Sequence, residues 1–172
     1  MINLKKGPAH SLLQTDKVGN AKSGEAVVAG YVVRLDSSGD IVKGPTNAAA
    51  ADDILGFALN NQTDGDVVNS GKIAYLLLDG ASVVEVDQAC VQGTINASNF
   101  VTGARVAADP SNLGKVRPWQ SGDRVLGYVE GIRNLPSASS VSQNYKNVAG
   151  TTKTNTSNVQ QSVAFLGIKL AV

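Results

Sequence analysis

The sequence predicts an all-β fold, built as a compact β-barrel or β-sandwich. Valine is the commonest residue and glycine supplies 18 of the 172 positions, whereas methionine and glutamate are rare. Valine suits a pleated strand and glycine suits a tight turn, so this composition favours strands joined by turns over helices. A chain of this length forms one domain, or two small β modules that share a core.

A β-hairpin is the clearest local signal. Residues 27–35 form a run rich in valine, residues 36–40 read Asp-Ser-Ser-Gly-Asp, and residues 41–43 resume the β-rich pattern. Two such runs around an Asp/Ser/Gly turn predict a hairpin, and side chains in its strands alternate between two faces.

Six further segments have the composition of strands, and most of them end at Gly, Asn or Asp. They are residues 53–59, 72–78, 82–86, 104–107, 124–130 and 163–170. Residues 74–78 are apolar without interruption. A strand that is apolar on both faces must be covered twice, so we expect a second module or another subunit to pack against it.

Four short matches indicate an internal repeat, although strings rich in valine and glycine also match by chance. Four patterns recur in the same order, at offsets of 73, 75, 71 and 90 positions: Gly30-x5-Asp36 with Gly103-x5-Asp109, Gly39-x-Ile41 with Gly114-x-Val116, 53–58 with 124–129, and 73–76 with 163–166. A period this long predicts two similar β modules, at about 24–87 and 97–172. The larger last offset predicts an insertion in the second module, at 133–162.

Two segments lack the strand pattern. Residues 1–23 show no alternation and carry four lysines, so they predict an extended N-terminal arm that is ordered on a partner. Residues 133–162 are rich in Ser, Thr and Asn, and they predict a long projecting loop.

Charge is distributed unevenly along the chain. Residues 1–22 have a net charge of +3, residues 23–100 of −7 and residues 101–172 of +5, within a total of +1. An acidic first module and a basic second module could orient copies head to tail, although surface charge also drifts without function. The balanced total argues against nucleic acid or an anionic membrane as a partner.

The residues that chemistry requires are scarce. His10 is the only histidine and Cys90 the only cysteine, so the sequence predicts no metal site, no intrachain disulfide, no cofactor and no catalytic residues. Cys90 lies in an apolar context and is expected to be a buried thiol. No apolar run approaches the length of a membrane span, and the start lacks the apolar region of a signal peptide. We therefore expect synthesis in a reducing cytoplasm.

Several residues are candidates for contact with a partner. Trp119 follows Pro118 in a loop, where it either anchors an interface or packs beneath its own loop. The full set of expected contact residues comprises lysines and leucines of the arm, one leucine of the doubly apolar strand and two aromatic residues: Lys5, Lys6, Leu12, Leu13, Leu77, Trp119 and Tyr145.

Residues 24–87 resemble the capsid decoration proteins, or cement proteins, of tailed phages. The resemblance lies in the string from Gly24 to Val42, in Ile54-Leu-Gly-Phe57 with its flanking residues, and in residues 71–80. It implies a small β protein without enzymatic activity, often a homotrimer, that is assembled in the host cytoplasm. Such a protein binds the major capsid protein on the outer surface of the virion and stabilises the mature shell.

Two other functions stay open. In a receptor- or glycan-binding head fibre or adhesin, the insertion would be the recognition surface, although Tyr145 is its only aromatic residue. A small trimeric β enzyme would need a carboxylate cluster and a phosphate cradle, and the sequence displays no pattern for either.

Overall fold

The computed structural model describes residues 2–6, 16–46, 54–62, 71–134, 141–146, 152–157 and 164–171, and these confirm the all-β fold. The strands in these ranges are β1 (Ile2–Lys6), β2 (Asp16–Asn20), β3 (Val32–Leu35), β4 (Ile41–Lys43), β5 (Ile54–Ala58), β6 (Lys72–Leu77), β7 (Val83–Asp87), β8 (Arg105–Ala108), β9 (Val116–Pro118), β10 (Gly127–Asn134), β11 (Val141–Lys146), β12 (Thr152–Ser157) and β13 (Ala164–Leu170). The only helical element in them is a 3-10 turn at Gln88–Cys90.

The strands form two large antiparallel sheets in a sandwich-like arrangement, together with one separate hairpin. The first sheet has the order β2-β6-β5-β3-β4, the second has the order β1-β7-β13-β10-β8-β9, and β11 pairs with β12. Each large sheet curls, because a parallel bridge connects the two outer strands of its five-stranded repeat. Ala21, which follows β2, pairs with Ile41 of β4, and Val91, which follows β7 and the 3-10 turn, pairs with Val116 of β9. Neither sheet closes into the barrel that was the alternative prediction.

The two large sheets repeat one topology. The order β2-β6-β5-β3-β4 corresponds strand for strand to β7-β13-β10-β8-β9, and β1 is an addition outside the repeat. The register also repeats, because Gly56 pairs with Val33 and Gly127 pairs with Val106. The sequence offsets of 71 and 73 positions predicted this correspondence.

A steric requirement explains why the repeated strands both contain glycine. A Cβ at Gly56 would overlap the backbone carbonyl oxygen of Leu76, and a Cβ at Gly127 would overlap that of Lys169. Leu76 pairs with Phe57, and Lys169 pairs with Tyr128, so the two collisions occur at equivalent points of the sheets. Any side chain at these positions would push neighbouring strands apart.

The fourth sequence match identifies the right strand in the wrong register. The pattern aligned Leu76 with Leu166, whereas the strand pairing makes Leu76 equivalent to Lys169. Short apolar strings match in several registers, and only the neighbouring strand selects one of them.

The protein has two apolar cores, and the larger one joins the two modules. The main core draws on both sheets and includes Val32, Ile54, Phe57 and Leu76 of the first module with Val84, Leu126, Leu166 and Ile168 of the second. A smaller core lies within the first module, comprising Val27, Val33, Ile41, Ala58 and Ile73. β6 contributes Leu76 to one core and Ile73 to the other. The expectation that this strand is covered on both faces is therefore confirmed, and the second module supplies one cover.

The predicted N-terminal arm of residues 1–23 is corrected in its described parts. These parts are extended, but they are paired, because β1 lies against β7 and β2 lies against β6. The predicted module bounds of 24–87 and 97–172 are corrected as well, because β2 belongs to the first sheet and β7, which begins at Val83, takes the equivalent place in the second. β2 and β7 have few side chains in common, so the sequence matches did not reach them, and backbone hydrogen bonds define their places in the sheets.

The predicted loop of residues 133–162 is also corrected. Arg133 and Asn134 continue β10, and β11 and β12 pair antiparallel from Val141–Ser157 to Lys146–Thr152. Ser, Thr and Asn lack the apolar alternation that marks a strand, yet their backbones pair as well as any others, and threonine favours extended backbone. The strand predicted at 124–130 begins later, at Gly127.

Candidate functional site

One cross-strand row of side chains differs between the two modules. In the first module, Val32, Phe57 and Leu76 are neighbours on adjacent strands, and all three are buried in the main core. We call these three residues the buried row. The equivalent residues of the second module are Arg105, Tyr128 and Lys169, which we call the exposed row.

The exposed row lies on the outer face of the second sheet. Arg105 and Lys169 are exposed, and Tyr128 has 42% of its surface accessible. The same place in the fold is thus a packed protein surface in one module and a solvent-facing surface in the other. Cationic and aromatic side chains replace three apolar ones there.

Trp119 extends the exposed row at its end. Its backbone N–H donates to the carbonyl oxygen of Arg105 at 3.1 Å, as the N–H of Gly44 donates to that of Val32. The guanidinium carbon of Arg105 lies 5.2 Å from the centroid of the Trp119 ring, within the range of a cation–π contact. The exposed row and Trp119 together therefore present two cations, Arg105 and Lys169, and two aromatic rings, Tyr128 and Trp119.

The position of Trp119 is held by its own loop. The indole N–H donates to the backbone oxygen of Asp123 at 2.8 Å, and the Asp123 carboxylate binds Arg117 through 2.8 Å and 3.1 Å bonds. The Trp119 ring is half-buried. Both readings of Trp119 thus agree with the structure, because the ring packs on its own loop and leaves part of its surface accessible.

An ion pair lies on the same outer face, farther along β10 and β13. Arg133 binds the buried carboxylate of Glu85 through two nitrogens, at 2.7 Å and 3.0 Å, and lies over the ring of Phe165 at 4.7 Å. Hydrogen bonding to Glu85 raises the pKa of the Arg133 guanidinium. A cavity of about 270 Å³ adjoins this pair and is lined by Glu130, Gly131, Ile132, Arg133 and Gly167.

The predicted contact residues do not form one cluster. Lys5 and Lys6 lie in β1, and Lys6 pairs with Val83, which in turn pairs with Lys169 of the exposed row. Lys6 and Trp119 therefore flank the same row. Leu77 is half-buried and pairs with Gly56, and Tyr145 lies in β11 opposite Lys153. Leu12 and Leu13 lie outside the described residues.

Sequence reasoning overlooked Arg105, Tyr128 and Lys169. The repeat itself carried part of the signal, because it aligns Arg105 with Val32 and Tyr128 with Phe57. When apolar residues of one module are replaced by amphipathic residues at the equivalent positions of the other, those positions are buried in the first module and exposed in the second. Lys169 needed the strand register, since the sequence match placed it three positions away.

Cys90 is buried, as expected. Its thiol donates to the backbone oxygen of Ala29 at 3.4 Å, and this bond joins the two modules. Burial raises the pKa of the Cys90 thiol to about 11. The thiol is therefore protonated at neutral pH, which suits packing and not nucleophilic chemistry.

Among the described residues, no group of three or more His, Cys, Asp or Glu side chains is placed to hold a metal ion. The described part of the chain also contains no helix that is long and apolar enough to cross a membrane. Comparisons with protein-family models, curated proteins and solved structures found no match.

Proposed function

We propose that this chain is a structural protein that binds the outer surface of a tailed-phage capsid and stabilises the mature shell, without enzymatic activity. The observation that carries the proposal is the exposed row. Its counterpart in the first module is already covered by protein, so this place in the fold is suited to docking another protein surface. A protein built to hold subunits together needs such surfaces and no reactive site.

The chemistry of the exposed row supports protein docking. Arg, Tyr and Trp are enriched in protein interfaces, because each buries a large area and also offers a polar group. Trp119 is held by its bond to Asp123, so docking costs little additional side-chain entropy at this ring. The resemblance of residues 24–87 to decoration proteins supports the same conclusion.

The proposal includes a cyclic homotrimer, with the major capsid protein and further copies of the chain as partners. A ring requires two different complementary surfaces on each copy. The net charge of −7 on residues 23–100 and +5 on residues 101–172 supports such a pairing. Exposed ion pairs contribute only about 0–1 kcal/mol each, so charge would select the face and apolar area would supply the affinity.

The test uses purified phage particles that contain or lack the chain. With the chain present, we expect regular protrusions on negatively stained shells, co-sedimentation of the chain with the shell, and DNA release at a higher temperature than from bare shells. Adding purified chain to bare shells should restore all three properties. If the chain neither sediments with shells nor shifts DNA release, the proposal is wrong.

A receptor-binding function is the second candidate, and the β11–β12 hairpin is the observation that favours it. This polar hairpin is inserted between β10 and β13 and pairs only with itself among the described strands. If it recognises a host, a chain that lacks residues 138–160 should still bind shells, while particles that carry it should adsorb less to cells.

A further inference from the structure

We propose that the β3–β4 turn of one copy docks on the exposed row of a second copy, so that copies associate head to tail. This inference rests on the self-association in the proposed function and identifies the surfaces that carry it. The argument is that the chain already contains the same contact once, between its own two modules.

The internal contact is made by the β8–β9 turn at the end of the buried row. The backbone oxygen of Gly114 accepts the N–H of Val32 at 2.8 Å, and the N–H of Gly114 donates to the oxygen of Gly44 at 3.1 Å. A Cβ at Gly114 would lie 2.7 Å from the Tyr31 ring. The β8–β9 turn of the second module is thus packed tightly against the first module.

The β3–β4 turn has a similar construction, although it is two residues shorter. The N–H of Asp36 donates to the oxygen of Asp40 at 2.8 Å, as that of Asp109 donates to Lys115 at 2.8 Å. Each turn begins with an aspartate that accepts a backbone N–H two residues later, and each ends near a glycine of positive φ, Gly39 at 82° and Gly114 at 86°. The first turn is therefore the counterpart of the docked turn.

The environments of the two turns differ. No atom lies within 4 Å of the position that a Cβ would take at Gly39, and Ser37, Ser38 and Gly39 are exposed. The first module thus presents a free copy of the docked turn, and the second module presents a free copy of the row on which such a turn docks. A second molecule brings these two surfaces together.

Charge favours this pairing. Arg105 and Trp119 occupy the places that Val32 and Gly44 have in the first module, and Lys169 of the exposed row lies two strands away from Arg105. The turn that would meet them carries Asp36 and Asp40 against one paired cation, Lys22, whose ammonium lies 3.2 Å from the Asp36 carboxylate. The hydrogen bond from the backbone N–H of Ser38 lowers the pKa of Asp36 and favours its ionised carboxylate. A cationic row and an anionic turn are complementary.

Sedimentation velocity of the full chain tests the contact through charge reversal. Arg105→Glu with Lys169→Glu makes the row acidic, and Ser37→Lys with Ser38→Lys makes the turn basic. Each double variant should associate at least about tenfold more weakly than wild type. The combined variant restores opposite charges and should recover association. Lys17→Glu reverses an exposed cation of β2, which belongs to neither the row nor the turn, and should associate normally.

Circular dichroism checks that each variant is folded. We expect all of them to fold, because the changed side chains of the row and the turn are exposed. The proposal is overturned if either double variant associates like wild type, if the combined variant does not recover, or if wild type does not self-associate. Shell co-sedimentation is measured separately, so capsid binding by a chain that does not self-associate would contradict this contact and leave capsid attachment supported.

Discussion

Gly56 and Gly127 are the pair of equivalent residues whose identity has the clearest physical explanation. They lie in β5 and β10, the equivalent central strands of the two modules, and each faces a backbone carbonyl oxygen of an adjacent strand. A backbone atom cannot rotate away as a side chain can, so the strands would have to separate. The repeat retains glycine here because no larger residue fits between these strands.

Gly127→Ala is therefore expected to destabilise the protein by about 3 kcal/mol or more, since overpacking that displaces backbone is poorly relieved. Gly131→Ala is the matched control in the same strand, because a Cβ there would meet no atom within 4 Å. The control should lie within about 0.5 kcal/mol of wild type. Urea denaturation of both variants measures the difference, and equal stability of the two would contradict the steric account.

Cys90 allows a second prediction for a single side chain. Its thiol is buried and its pKa is raised to about 11, so a native chain at pH 8 contains little thiolate. We expect iodoacetamide to modify Cys90 slowly in the native protein and rapidly in urea. Rapid modification without denaturant would show that the thiol is accessible, against the packing described for it.

At the scale of elements, the β3–β4 turn depends on one ionised carboxylate. Asp36 accepts the N–H groups of Ser38 and Asp40 at 2.8 Å and 3.1 Å and lies 3.2 Å from the Lys22 ammonium. These interactions, the bond from Ser38 foremost, lower the pKa of Asp36 below its ordinary 3.8. Asparagine at this position would keep an acceptor for the turn and remove the charge.

The lowered pKa determines the sign of the pH effect. Because ionised Asp36 is favoured in the folded state, its stabilisation is present above the ordinary pKa of 3.8 and is lost as the pH falls through the lower folded value. Asp36→Asn should therefore have a lower Tm than wild type at neutral pH, and the two should converge in acid. Asp40→Asn keeps these bonds and is the control. A Tm difference that persists unchanged in acid would contradict this account.

At the scale of the whole molecule, the N-terminal strands have unequal roles. β1 lies outside the repeat and, among the described strands, pairs with β7 alone, whereas β2 completes the five-stranded sheet of the first module. A strand outside the repeated core can be lost at smaller cost than one within it. The N-terminal segment thus comprises an accessory strand and an integral strand.

Two truncations test this difference. A chain that lacks residues 1–15 should fold and unfold cooperatively, because both five-stranded sheets remain. A chain that also lacks residues 16–22 loses β2 and should be insoluble or markedly less stable. Thermal unfolding followed by circular dichroism compares them. Equal stability of the two truncated chains would show that β2 is as dispensable as β1.

The shorter truncation also tests the prediction that the N-terminal segment attaches the protein to a shell. If residues 1–15, with Lys5, Lys6, Leu12 and Leu13, contribute to attachment, the truncated chain should fold and yet co-sediment more weakly with bare shells. If the truncated chain attaches at wild-type affinity, residues 1–15 do not contribute to the capsid contact.

Local sequence patterns predicted the strands whose formation depends on the residues of the strand itself and of its neighbouring turns. The hairpin around Asp36, the strand containing Gly56 and its repeat containing Gly127 follow from β-rich runs, turn residues and a spacing that recurs. The buried state of Cys90 also followed from its apolar neighbours. These features are set by steric and hydrophobic preferences within a few residues, so the sequence by itself specified them.

Only the tertiary structure decided which equivalent surfaces are covered. Val32 and Arg105 occupy the same place in the two modules, yet one is in the main core and the other is exposed. The edge strands β1 and β2 and the polar pair β11–β12 likewise form through backbone bonds to a partner, which leave no apolar pattern in the sequence. Burial and strand pairing are relations between distant segments, and the exposed row became recognisable only when the sheets placed those segments side by side.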